Sequence, residues 1–134
     1  MSIEQDLRIG IRKQVIANLN VQNLIVDHFY PSELNEVTNP EYPCANFSLG
    51  VGAKDPDTDT ITWIPFRVWV WSELSKDETF NVYDKIRIVL HREVFDQSSI
   101  RFFCKETRTP AEAYDPQSKL YYVLAGWQAR LITL

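Results

Sequence analysis

Few residues in this chain combine a reactive type with a spacing that does chemistry. The two histidines, His28 and His91, lie far apart and neither falls in an H-E-x-x-H pattern, which excludes a histidine-rich metal site. Cys44 with a histidine and a carboxylate would form a nucleophile set if the fold gathered them, but no family-type signature surrounds the cysteine. No serine sits in G-x-S-x-G, and the four glycines, Gly10, Gly50, Gly52 and Gly126, cannot build a phosphate-cradling loop. Asp55, Asp57 and Asp59 alternate like the opening of a calcium loop. The sixth and twelfth places of that loop require Gly and Glu, and Thr60 and Phe66 stand there instead, so the segment reads as a solvated hairpin tip. Glu36 with Glu41, and Glu112 with Asp115, read as solvated loop acids. The residue chemistry points away from an enzyme, and no cofactor or metal is expected.

The composition fits a single domain spanning 1–134, with 45% hydrophobic and 24% charged residues. A formal net charge of -4 argues against a nonspecific nucleic-acid surface, which needs a basic face to displace phosphate counterions. The apolar runs are far shorter than the roughly 20 residues of a membrane span. With no secretory pattern at the N-terminus, Cys44 and Cys104 read as buried thiols in a reducing cytosol.

The elements that would position these residues follow from periodicity. Ser2 and Gln5 form a capping box, and Ile3, Leu7, Ile11, Val15 and Leu19 draw one stripe of a helix over 3–19, with Gly10 a weak point inside it. Ile9 and Ile16 form a second stripe that is either a wider core face or a contact with another chain. The proline-bearing stretch 20–43 reads as a linking arm, a short helical turn followed by an extended segment, 44–51 as a strand, and 52–60 as a polar hairpin tip. A second capping box at Ser75 and Glu78 opens a helix over 76–94, followed by a strand at 99–107, a loop or bulged turn at 108–118, and a long last strand from Lys119. This order predicts an α+β fold: an antiparallel β-sheet with two α-helices packed mainly on one face.

The strand "TWIPFRVWVWSE" (62–73) is unusual because both of its rows are apolar except for Arg67 and the ambiguous Pro65. Ile64, Phe66, Val68 and Val70 suit a core beneath helices. Trp63, Trp69 and Trp71 lie on the other row, which needs either a neighbouring subunit or the 27–43 arm to cover it. The last strand repeats the puzzle, with Trp127 on one of its apolar rows.

The opening helix "IRKQVIANL", the arm "LIVDHFYPSE", the strand "EYPCANFSLGV", the charged hairpin, "WIPFRVWVWSE" with its capped helix, and the ending "AYDPQSKLYYVLAGWQARL" together resemble the tail terminator or tail completion proteins of long-tailed bacteriophages. The resemblance covers nearly the whole chain, although the tryptophan-rich strand and the 108–119 segment depart from the pattern. It implies a structural protein located in the virion at the head-tail interface and assembled in the host cytoplasm. Such a protein forms a homo-oligomeric, hexameric ring that caps the tail tube, stops polymerisation of the major tail tube protein and offers a docking surface to head connector or neck proteins. A head-tail connector or other neck protein is an alternative. Under this reading Trp63, Trp69, Trp71 and Trp127 are subunit-interface residues, and Lys54, Asp55, Asp57 and Asp59 form a partner-docking loop. An alternative of another class is a small-ligand-binding α+β barrel dimer, with Arg67 and Arg130 holding an acidic ligand in an aromatic cavity.

Overall fold

The computed structural model describes residues 2–54 and 60–134. Helix α1 (Ile3–Ile16) starts at the predicted capping box: the Ser2 hydroxyl accepts from the Gln5 N–H at 3.2 Å, and Gln5 Oε1 accepts from the Ser2 N–H at 3.0 Å. The helix stops earlier than its apolar stripe suggests because Asn18 caps a separate helix, α2 (Leu19–Ile25), accepting from the N–H groups of Asn20 and Val21. The short helical turn expected at the start of the linking arm is thus a capped helix of seven residues, a third helix beside the two expected. It continues through a two-residue strand β1 (Phe29–Tyr30) and a 3-10 turn (Leu34–Glu36).

Strands β2 (Cys44–Leu49), β3 (Ala53–Lys54) and β4 (Ile61–Ser72) follow. Helix α3 (Lys76–Leu90) is capped by Ser75, whose hydroxyl accepts from the Glu78 N–H at 3.1 Å. It ends before the predicted 94 because His91 turns extended and bridges to Cys104, and Val94 opens strand β5 (Val94–Gln97). Strands β6 (Ile100–Glu106), β7 (Ala111–Asp115) and β8 (Leu120–Thr133) complete the chain. The 108–118 stretch, expected as a loop or bulged turn, thus carries a strand.

The sheet runs β1-β2-β4-β8-β6-β5, with β3 on β4 and β7 on β8. Every pair is antiparallel except β1 with β2. The fold class is α+β, with a mostly antiparallel sheet. Strand β8 lies at the centre, pairing with β4 along twelve positions on one side and with β7 and then β6, end to end, on the other.

One face of the sheet packs under the helices. Ile64, Phe66, Val68 and Val70 of β4 are buried there, as the alternation predicts, together with Val123, Ala125, Trp127, Ala129 and Leu131 of β8 and Leu7, Ile11, Val82, Tyr83, Ile86 and Leu90 of the helices. Helix α1 approaches closely at Gly10, where an added Cβ would stand 2.6 Å from the Phe102 ring. The absence of a side chain is what lets the helix lie on β6. The Ile9/Ile16 stripe divides: Ile16 packs against the core and Ile9 is exposed.

Candidate interaction surface

The register separates the four tryptophans. Trp127 stands opposite Phe66 on the helix-covered face, 1% exposed, with its ring stacked on Phe66 and edge-on to Tyr83. Its expected place at a subunit surface is therefore corrected: strand parity puts it in the core row. There its Nε1–H donates to the Tyr83 hydroxyl at 3.0 Å, and that hydroxyl donates to the Glu106 carboxylate. Arg87 Nε lies 3.3 Å from the same carboxylate, and the Glu106 N–H donates to His91 Nδ1 at 3.0 Å. Burial, and then Glu106, push the Tyr83 hydroxyl far above its ordinary pKa, so it remains a donor. This network satisfies the polar atoms that the core row brings under α3.

Trp63, Trp69 and Trp71 lie on the opposite face and are partly buried. Trp71 is held within the chain. Its Nε1–H donates to Asn46 Oδ1 at 2.7 Å, its ring packs on Tyr122 with centroids 5.0 Å apart, and Asn46 Nδ2 donates to the Ser32 carbonyl of the arm at 2.9 Å. The arm residues Val37, Pro40 and Tyr42 share a concavity of about 660 Å³ with Trp69, Trp71 and Leu120. The arm therefore covers the Trp71 end of this row, the intrachain alternative that the sequence left open.

Beyond the arm the face opens. A second concavity of about 700 Å³ has Trp69, Leu124, Gly126, Arg67 and Arg108 among its lining residues, with Glu33 also contributing. Arg67 stands directly across from Gly126 in the register, and the Arg108 stem lies 3.4 Å from where a Gly126 Cβ would be. A glycine at this one place lets the arginine stem rest on the sheet. The N–H groups of Thr107 and Arg108 both donate to the Gly126 carbonyl, which bends the chain from β6 into β7 around the rim of the cleft. Farther along, Arg130 lies over Trp63 at 5.9 Å, a cation-π contact. Arg67 and Arg130 are thus not one site: Arg130 is paired opposite Trp63, several residues along the strands from Arg67. Arg108, unmarked by any motif and set in a stretch read as a loop, is the residue that sequence reasoning missed.

The candidate nucleophile set comes partly together. His28 sits beside Cys44 at the start of the β1-β2 pairing, with its Nε2 3.3 Å from Glu41 and 3.6 Å from Asp27. No hydrogen bond joins the imidazole to the thiol, however, and burial pushes Cys44 up to about 12, against what a nucleophile needs. Cys104 is also buried and raised by desolvation. Among the described residues no group of three or more His, Cys, Asp or Glu is placed to hold a metal ion, and no helix is long and apolar enough to cross a membrane. Of the expected docking loop, Lys54 is exposed in β3 opposite Thr62, whereas Asp55, Asp57 and Asp59 lie outside the described residues.

Fold and surface together define a helix-backed sheet with an aromatic and basic open face. No protein-family model matches the sequence, and no curated protein matches it. Among solved structures, the fold is similar to a chain in the virion of a native gene transfer agent particle, with a TM-score of 0.78, 14% sequence identity and 98% of each chain covered. At that identity the likeness is one of fold.

Proposed function

We propose that this chain is a structural virion protein that assembles into a ring, hexameric as in the tail terminators it resembles. The ring caps a tail tube, stops its polymerisation and presents a surface to head connector or neck proteins. The observation that carries this reading is the fold similarity over 98% of both chains to a component of a virion particle. A match of that extent leaves little of either chain for an added catalytic unit. The surface supports the same reading. Each subunit of a ring uses two different patches in a head-to-tail contact, and here the open sheet face and the exposed Ile9, Leu74 and Ile88 of the helix side offer two. Enzymatic turnover has no part in this function.

The test is to polymerise a major tail tube protein from the same gene neighbourhood with and without this chain and to image the products by negative-stain electron microscopy. Tubes of bounded length with a ring at one end are expected. Tubes that grow without bound and carry no end density would remove the terminator reading. Binding to an isolated head connector without any effect on tube growth would favour the neck-protein alternative.

A further inference from the structure

We propose that the Arg67–Arg108 cleft receives the outer face of helix α3 from a second copy of this chain, forming the head-to-tail contact of the ring. The inference rests on the ring reading above and specifies its interface. Arg67 and Arg108 are exposed, line the same concavity on either side of Gly126, and have no ion-pair partner among the described residues. Glu33 shares the cleft lining but pairs with neither arginine. Two free guanidinium groups call for a surface that presents two carboxylates at a matching separation, since each fork takes a carboxylate in two parallel hydrogen bonds.

The helix side of the chain carries such a surface. Helix α3 turns Val82, Tyr83, Ile86 and Leu90 onto the sheet, so Asp77, Asn81, Asp84 and Ile88, which follow one another at i+4, i+3 and i+4, form an exposed line on the side away from it. Asp77 and Asp84 have no ion-pair partner among the described residues, and Lys76 and Lys85 lie on the flanks of the helix, off this line. Because α3 covers the face of the sheet opposite to Arg67, its outer line cannot reach the cleft of its own chain. The two patches meet only between copies, and their places on opposite faces give the heterologous contact that a ring requires. The spacing agrees as well. Seven residues of helix set Asp77 and Asp84 about 10.5 Å apart. The backbones of Arg67 and Arg108, on either side of the β8 strand at Gly126, stand two inter-strand spacings apart, about 10 Å. With α3 laid across the strands, one carboxylate meets each guanidinium group. Trp69 and Leu124 lie beside the arginines, and the exposed Leu74 and Ile88 beside the acids, so apolar area flanks the ion pairs on both surfaces.

Charge reversal tests this by size-exclusion chromatography with light scattering, with circular-dichroism melts as the check on folding. The wild-type chain should assemble. Arg67→Glu with Arg108→Glu, and separately Asp77→Lys with Asp84→Lys, should each raise the concentration for half-assembly about tenfold or more, because like charges then face each other across the contact. The two reversed proteins, mixed, should assemble with each other, since each then offers the charge that the other lacks. Asp77 sits in the first turn of α3, where a lysine also opposes the helix dipole. If that melt falls, Asp84→Lys alone carries the expectation of weakened assembly, and Arg67→Gln with Arg108→Gln does so for the cleft. A wild-type chain that stays monomeric at every concentration overturns the ring reading and this contact with it. Assembly that ignores either reversal, or reversed proteins that fail to assemble when mixed, overturns the contact and leaves the ring standing. A reversed cleft that assembles normally but no longer caps tubes would assign the cleft to another protein, and so overturns the contact as well.

Discussion

At the scale of single residues, His91 is the titratable group with the most structural consequence. Its Nδ1 accepts the Glu106 N–H, so the ring must carry its proton on Nε2 and stay neutral. Burial, and then the charges of Arg87 and Arg92, hold its pKa below the ordinary 6.5, with Glu106 opposing them. A base whose folded pKa is depressed binds fewer protons folded than unfolded. Its contribution to stability is therefore complete above the unfolded pKa, and is lost as pH falls through about 6.5 towards the lower folded value. Melting temperatures of the wild type should drop from about pH 7 to pH 5 more steeply than those of His91→Gln, whose amide oxygen can still accept the Glu106 N–H. Equal slopes in the two proteins would place the acid sensitivity outside His91. Trp127 shows the limit of legibility at this scale. Its row partners Val123, Ala125, Ala129 and Leu131 could be listed from alternation alone. Which row faces the helices is decided by pairing with β4, some sixty residues away, and no local pattern encodes that.

At the scale of elements, Gly10 reads differently in sequence and in structure. By propensity it is a defect in α1, and Gly10→Ala should stabilise the helix by about 1 kcal/mol. In the fold the new methyl would meet Phe102 ring atoms at 2.6 and 2.9 Å, and the overpacking costs about 1–3 kcal/mol. The aromatic ring is wedged between α1 and β5, where Phe95 packs on it, so it has little room to yield. We expect Gly10→Ala to lower stability by about 1 kcal/mol, read as a fall in the urea midpoint at constant m-value; a rise in the midpoint would show that propensity wins. Helices α1 and α3 and the four long strands were legible because capping boxes and period-two rows are local signals. Strand β5 was not, since its four residues carry one apolar residue inward and end in a tight turn. Nor was β7, whose "AEAYD" sits between Pro110 and Pro116 and draws its order from β8 instead of its own composition.

At the scale of the whole molecule, the open sheet face divides into a part the chain covers itself and a part that stays open. Trp71→Ser removes an indole that bonds Asn46 and packs on Tyr122, so its effect should appear in the monomer as a loss of about 1–3 kcal/mol. Trp63→Ser with Trp69→Ser should lower the monomer melt, because both indoles are partly buried within the chain, and should in addition weaken assembly, measured by light scattering; a melt that falls with assembly intact would make both indoles part of the internal core alone. Most of each ring is already covered within the chain. What remains supplies only about 1–2 kcal/mol per indole at roughly 25 cal/mol per Å², too little alone to hold a ring against the cost of association. The central place of β8 has one more effect, on the order of events as the chain is made. β4 and β6 do not pair with each other; each pairs with β8, which is synthesised after both, and the β4 pairing closes loops of about 50–70 residues. Until β8 leaves the ribosome, the nascent chain holds two unfinished sheet fragments with open edges, a state in which chaperones find purchase. Inserting one strand then completes both at once.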